Sequence, residues 1–540
     1  LAVSERLARG DALRLSLEGL ARQRAAFLIF FGVAAGTLLL RLPSFFEPAW
    51  HTDEGIFSAV AERVLHGGRL YADAWESKPP LFIYIYVGLI KVFGAGVLPL
   101  RIAATVSAIG SELALYGVAR TMMGRKPALW ATAALALLIG VPFWEGNLAL
   151  ADTFTILPAT LGVLCALRAR PDDSRATSTL LLVLAGSMFG LAFLIRQTSA
   201  VVALGVVLWW LLSGREWLRP AITMVIGSAI VVLPVVVGFA VWGSFNWFLN
   251  ANIGFFVRYI PSGEQISIYE RPLIVLPALV TIGALIAHRR RGETPRWGLP
   301  ALWLTLTLAN AMLTGRPYPH YFLNVFPPLA LLIVMIAPQV RRSWRPDRSA
   351  APALAIAVSV ALLWLAVVTP EFGNPYAFRY SKVENYYPNF IARAVGAKSD
   401  EAYDRYFDER VPLTEKLGAT LKRLGASNQQ IYIWGETPWS YALSGSIPAT
   451  AYTTSFYVLL IPDLDTELWN TLLAADPLFI VMQDDAWPRY RDDTGILKTR
   501  YERSVHALNS LIALRYEQVA VVGRARIFQR TAARPFVDQK

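Results

Sequence analysis

The chain has 540 residues, 55% of them hydrophobic, and 51 Lys and Arg against 39 Asp and Glu give it a formal net charge of +12. A mean hydropathy of +0.42 excludes an ordinary soluble protein of this size, and repeated apolar runs of roughly 17–25 residues indicate a polytopic α-helical membrane protein. In a soluble chain the basic balance would suggest nucleic acid, but here the basic residues sit in short loops between apolar runs, so a lipid bilayer and no nucleic acid is expected. The single cysteine, Cys165, lies in an apolar run and excludes an internal disulfide and a cysteine-based metal site.

Residues 1–24 form a charged segment before the first apolar run, expected to be cytoplasmic. No small-residue cleavage site follows that run, so it reads as a retained helix and not a signal peptide. Apolar runs place about eleven spans, near 25–42, 97–119, 127–144, 153–169, 179–195, 199–213, 220–243, 272–288, 297–314, 320–337 and 351–369. The run 80–94, interrupted by Lys91, is short for a span. If it lies along the membrane surface, the basic loops (Arg120/Arg125/Lys126, Arg168/Arg170/Arg175, Arg215/Arg219, Arg289–Arg291 and Arg341–Arg348) share a side with the basic N-terminus. The positive-inside rule therefore favours an interfacial 80–94 and a cytoplasmic N-terminus.

This register divides the chain into a transmembrane domain over 25–370, with a first extracytoplasmic loop over 43–96, and a region 371–540 of different composition. In that region IYIWG (431–435) and PLFIVMQ (477–483) read as strands, and 412–424 and 500–514 as helices. The expectation is a soluble α/β domain of about 150 residues, on the extracytoplasmic side.

The same register gathers the unusual polar groups on one side of the bilayer. They are Asp53, Glu54 and Lys78 in the first loop, then Glu145, Asn147 and Asp152, then Arg196 and Gln197. Arg258 and Arg271 follow in a fourth loop, and Arg316, Tyr318, His320 and Tyr321 in a fifth. Ionisable groups at membrane depth are costly and usually mark function. Carboxylates beside Arg, Lys and Tyr suit a site that binds a phosphate and activates a hydroxyl. Each also has a structural reading. Asp53 and Asp152 could cap helices, Glu54 could oppose a helix dipole, and Lys78 and Arg196 could anchor at the interface. His320 and Tyr321 could belong to an interfacial belt. His51 and His320 alone do not make a zinc site.

Asp53-Glu54, His66-Gly67-Gly68, Leu70-Tyr71, Lys78-Pro79-Pro80, Phe93-Gly94 and Leu100-Arg101 together resemble the GT-C glycosyltransferases of family 39. That group includes protein O-mannosyltransferases and lipid A aminoarabinose transferases. Gly190–Leu194 with Arg196-Gln197, and Gly315–Tyr321 with Pro327-Pro328, resemble later blocks of that family, in the same order. The resemblance covers about 25–370 and implies GT-C architecture in an inner-membrane, multi-pass enzyme. It implies inverting transfer of a sugar from a polyprenyl-phosphate donor to an envelope glycan, lipid or protein acceptor. By that resemblance Asp53 would be the general base, Glu54 would shape the site or bind the acceptor, and Lys78, with Arg196, would hold the lipid phosphate. Asp152 and Glu145 compete for the second-loop acidic position, and Arg316, His320 and Tyr321 would lie near the donor. No cofactor is certain, although Asp53, Glu54 and Asp152 could hold a divalent cation. The alternatives are a transporter or flippase of lipid-linked or small anionic substrates, and a non-catalytic scaffold. A transporter tends to place charges within spans and to show two similar halves, and neither pattern is visible.

Overall fold

Apolar helices dominate the first two-thirds of the chain, because a hydrocarbon surround leaves backbone groups only intrahelical partners. The computed structural model describes residues 27–28, 31–169, 174–259, 274–313, 318–342, 380–483 and 495–531. Helix α1 (31–41) runs into a 3-10 turn at Leu42–Phe46. Helices α2 (Thr52–Leu65) and α3 (Pro80–Phe93) follow in the first loop. Next come α4 (Val97–Met123), α5 (Arg125–Gly140), α6 (Ala151–Arg168), α7 (Arg175–Ile195), α8 (Ala200–Leu212) and α9 (Leu218–Val241). A short helix α10 (Phe245–Leu249) passes through a π-helical turn (Asn250–Gly254) into α11 (Phe255–Tyr259). Helices α12 (Leu276–Arg290) and α13 (Gly298–Met312), a 3-10 segment Pro319–Val325 and α14 (Phe326–Arg342) complete the apolar part.

Among the described residues, α4, α6, α7, α9 and the stretch Pro319–Ile336 are long and apolar enough to cross a bilayer, while α3, α8 and α13 are shorter. The expected span 127–144 is too long at its end. Helix α5 stops at Gly140, a 3-10 turn occupies Pro142–Trp144, and Glu145 turns left-handed at φ 56°. The expected span 351–369 lies outside the described residues. At 1.5 Å per residue, the 14 residues of α3 reach about 21 Å, short of a hydrocarbon core of about 30 Å. Ile222, Val225, Ile226, Ile230, Leu233 and Val237 on α9 point outward, a surface suited to lipid and costly in water. Helices α7 and α9 meet at small residues. A Cβ on Gly186 would overlap the Met224 carbonyl and one on Gly227 the Val183 carbonyl. Ser187 and Ser228 donate across the seam to the Gly227 and Gly186 carbonyls at 3.1 and 2.7 Å, the small-residue packing common between helices in membranes.

The remainder is an α/β unit. It has helices α15 (Tyr380–Ala394), α16 (Asp400–Phe407), α17 (Val411–Arg423), α18 (Trp439–Ser444), α19 (Ser455–Leu460), α20 (Leu464–Ala475) and α21 (Ile496–Arg515). Its strands are β1 (Gln430–Trp434), β2 (Ile447–Pro448), β3 (Phe479–Gln483), β4 (Tyr516–Val522) and β5 (Ala525–Arg530), in the order β2-β1-β3-β5-β4. Strand β1 is parallel to β2 and β3, and β5 is antiparallel to β3 and β4. The expected strands and helices are present, and the β4–β5 hairpin is an addition. The sheet core combines Ile431, Ile433, Val481 and Ile527 with Leu417 and Leu421 of α17 and with Ala59 of α2. The first loop is thus part of this unit's hydrophobic core.

Candidate active site

Helix α2 starts at Thr52 with His51 as its N-cap, and no side chain caps it, which removes the capping reading of Asp53. Asp53 stands in the first turn, where a helix dipole favours negative charge. Residues 54–62 of α2 are all buried. One flank packs on α3, and the other is covered by the α/β unit. Gly55 makes this possible. A Cβ there would lie 2.8 Å from the backbone nitrogen and Cδ1 of Trp439.

Glu54 faces away from solvent. It pairs with Arg101 of α4, accepts the Ala149 amide at 2.7 Å and is fully buried. Arg101 also bonds Glu47 at 2.9 Å, and Glu47 collects Asn147 Nδ2 at 2.7 Å and the Tyr386 hydroxyl at 2.6 Å. A buried ion pair tolerates burial only when its remaining lone pairs are satisfied, and this network supplies most of the partners. It locks the Asp53 end of the first loop onto α4 and onto the loop that follows α5.

That loop carries two further candidates. Asp152 occupies the first turn of α6, whose N-cap is Leu150, so it is not a side-chain cap. It pairs with Arg196 and accepts Asn324 Nδ2 at 3.1 Å. Arg196, immediately after α7, is buried rather than extended to an interface, bonds Thr198 Oγ1 at 3.1 Å and lies 4.4 Å over the Tyr321 ring. Glu145 meets His320 Nδ1 at 2.6 Å. Burial pushes the Glu145 carboxyl up to about 7, with His51 opposing the rise and Asp53 adding to it. His320 is buried, stacks on Tyr318 and lies edge-on to Tyr321. It feels the charges of Asp53, His51, Arg196 and Lys78, so four separate segments converge there.

Lys78 and Asp53 both act on the charge of His320 and of Glu76. The Tyr71 hydroxyl donates to the Lys78 carbonyl at 2.9 Å, and Tyr71 is itself buried in a left-handed conformation, φ 71°, a strained state for a bulky residue that only a well-determined surround maintains. Two residues earlier, Glu76 is buried, and its Oε1 accepts the Ser77 amide and hydroxyl at 2.8 and 2.9 Å. Burial raises the Glu76 carboxyl, Lys78 opposes the rise, and Asp53 adds to it. Among the described residues the side chains of Asp53 and Lys78 have no hydrogen-bond or ion-pair partner, and both are half-buried.

The structure therefore brings Asp53, Lys78, Glu145, Asp152, Arg196, His320 and Tyr321 together, and places Glu54 behind them in an interior pair. Arg316, Arg271 and the side chain of Arg258 lie outside the described residues. Gln197 bonds the Asn252 carbonyl at 3.3 Å. Three groups were missed as site residues. Arg101 lies in a motif already singled out, Glu76 stands two residues before Lys78-Pro79-Pro80, and an arginine within an apolar run is a signal in itself. Tyr457, whose hydroxyl lies 3.1 Å from Glu76 Oε2, carries no sequence signal. Among the described residues no group of three His, Cys, Asp or Glu could hold a metal ion. The trio Asp53, Glu54 and Asp152 does not fit a cation, since arginines neutralise two of its members. A small cleft lies beside the start of α2, lined by Trp50, Thr52, Arg410, Glu436 and Trp439. Arg410 there grips both oxygens of Asp408, at 3.0 and 2.8 Å.

Residues 77–242 match the family model described as dolichyl-phosphate-mannose-protein mannosyltransferase, a stretch holding Lys78, Glu145, Asp152 and Arg196. The chain is 26% identical over 306 residues to the undecaprenyl phosphate-alpha-4-amino-4-deoxy-L-arabinose arabinosyl transferase of Pseudomonas aeruginosa strain UCBPP-PA14, covering 53% of this chain and 55% of that one. It is 27% identical over the same length to the protein of that name in strain LESB58. The chain spans about half the length of the curated relatives it matches. In three dimensions it is similar to ArnT from Cupriavidus metallidurans bound to undecaprenyl phosphate, with a TM-score of 0.57 at 17% identity over 94% of this chain and 98% of that one. For the apo form the TM-score is 0.58. The chain thus has the GT-C membrane fold of ArnT, and its residues 77–242 are similar to the dolichyl-phosphate-mannose-protein mannosyltransferase family.

Proposed function

We propose that this chain is an integral-membrane inverting glycosyltransferase that moves a sugar from a polyprenyl-phosphate donor to a hydroxyl of an envelope glycan, lipid or protein acceptor. The observation that carries the reading is that, among the described residues, the Asp53 carboxylate and the Lys78 ammonium have no hydrogen-bond or ion-pair partner, while Glu54, Asp152, Arg196 and His320 beside them are paired. Asp53 takes the proton of the acceptor hydroxyl as its oxygen bonds to the anomeric carbon. The bond from that carbon to the phosphate oxygen breaks on the opposite face, and the phosphate leaves with the electron pair. Lys78 and Arg196 supply charge-assisted bonds to the departing phosphate. Asp152 and Tyr321 fix the Arg196 guanidinium in place, and Glu145 does the same for His320. Glu54 supports Asp53 from behind. A polyprenyl carrier is supported by the undecaprenyl phosphate bound to ArnT and by the names of the curated relatives. The alternation of basic loops supports a multi-pass protein of the inner membrane, with a cytoplasmic N-terminus and an extracytoplasmic α/β domain.

The test uses the full chain in membrane vesicles supplied with labelled undecaprenyl-phosphate-linked pentose and hexose donors. Wild type transfers label to envelope acceptors, and Asp53→Asn lowers the rate at least about a hundredfold while undecaprenyl phosphate still binds. Transfer at the wild-type rate by Asp53→Asn removes Asp53 as the base.

A further inference from the structure

The α/β unit grips both arms of the first loop. At the Asp53 arm, Trp439 Nε1 donates to the His51 carbonyl at 2.8 Å, Arg410 reaches Thr52 Oγ1 at 3.2 Å, and Gly55 lies flush against Pro438 and Trp439. At the Lys78 arm, the Trp75 amide donates to the Ala451 carbonyl at 2.9 Å. The Trp75 ring packs edge-on to Tyr457 at 4.9 Å and to Phe255 of α11 at 5.2 Å. The Tyr457 hydroxyl then reaches Glu76 Oε2 at 3.1 Å. Glu76 uses its other oxygen on the amide and hydroxyl of Ser77, the residue before Lys78. An unbroken chain of bonds therefore runs from α19 to the backbone that carries the Lys78 ammonium. A second tie, from Tyr71 to the Lys78 carbonyl, holds the following peptide.

We propose that Tyr457 is a positioning residue of the active site, setting through Glu76 the place of Lys78 relative to Asp53. The α/β unit is then part of the site and not an appendage. The inference rests on the proposed role of Lys78 at the lipid phosphate. Tyr457 donates to a buried carboxylate that, among the described residues, has no other side-chain partner outside its own loop, so loss of the hydroxyl frees the Glu76 side chain to rotate. The Ser77–Lys78 backbone loses its fixed reference, while the Tyr457 ring, replaced by phenylalanine, still fills the same space against Trp75.

The experiment measures undecaprenyl phosphate binding to the full chain in nanodiscs, together with the unfolding midpoint, for wild type, Tyr457→Phe, Lys78→Ala and the double variant. Tyr457→Phe is expected to weaken binding about tenfold or more, and to weaken it no further in the Lys78→Ala background. A purely structural role would lower the midpoint and cost the same factor in both backgrounds, and that result overturns the inference. So does unchanged binding by Tyr457→Phe. Wild type that fails to bind, or Lys78→Ala that binds as wild type does, overturns the reading of the site itself, and the inference with it.

Discussion

Glu145 is a residue whose backbone and side chain are both constrained. It sits left-handed, buried, with its carboxyl on His320 and with His51, Asp53 and Glu54 acting on it. Its carboxyl is raised from 4.5 to about 7 mainly by burial, so the folded state favours the protonated form. The stability from this group is fully present below about pH 4.5 and falls as pH rises to about 7, because the unfolded chain releases the proton first. Unfolding midpoints of wild type and Glu145→Gln should therefore diverge across that window, with wild type losing ground as pH rises, and run parallel above it. Parallel curves throughout would remove Glu145 as the titrating group. Asp53, Lys78 and Asp152 were legible in sequence because charged groups flanking apolar runs stand out. The split between a half-buried Asp53 and a fully buried Glu54 was not, since neighbours one residue apart on a helix point about 100° from each other and only tertiary partners decide which is covered. Tyr457 was illegible because a tyrosine in a soluble α/β segment has no periodicity that marks it.

At the scale of elements, the α7–α9 seam fixes the end of α7, and with it Arg196. Gly186→Leu would drive a side chain into the Met224 carbonyl, and no rotamer avoids a backbone atom. The helices must part and the Ser187 and Ser228 bonds break. The expected outcome is a midpoint lower by several degrees and a loss of undecaprenyl phosphate binding, with Ser187→Ala much milder, about 1 kcal/mol or less. A fully stable Gly186→Leu variant would contradict the close approach. Periodicity and length located most of the helices, because apolar composition is a long-range average. It misjudged α5, whose last turn is ended by Pro142 and the Glu145 turn, and it could not show that a distant domain covers one flank of α2. The β4–β5 hairpin did have a signal, a two-residue turn at Gly523-Arg524 with Gly523 at φ 54°. It is weaker than Asn-Gly, and it follows a strand whose exposed Glu517 and Gln518 dilute the apolar pattern.

At the scale of the whole molecule, a membrane bundle and an α/β unit share one hydrophobic core through α2. Tyr386 and Tyr387 of α15 donate to Glu47 and to the Leu40 carbonyl at 2.6 and 2.9 Å, and Tyr403 of α16 reaches the Phe46 carbonyl at 3.2 Å. The linkage therefore continues down to the end of α1. Separate domains were legible from the change in composition near residue 370, but their fusion was not, because it depends on contacts between residues more than three hundred positions apart.

Cys165, the single cysteine of 540 residues, is only partly covered on α6. One conservative replacement, Cys165→Ser, empties the chain of thiols and turns it into a blank on which any chosen position can be given chemical identity. With thiols written in singly at the exposed Lys126 and Lys422, a maleimide that cannot enter intact cells should mark Lys422→Cys and spare Lys126→Cys until the membrane is opened. Marking of Lys126→Cys alone would turn the proposed orientation upside down. A chain with a single thiol to remove thus offers a ruler for its own threading.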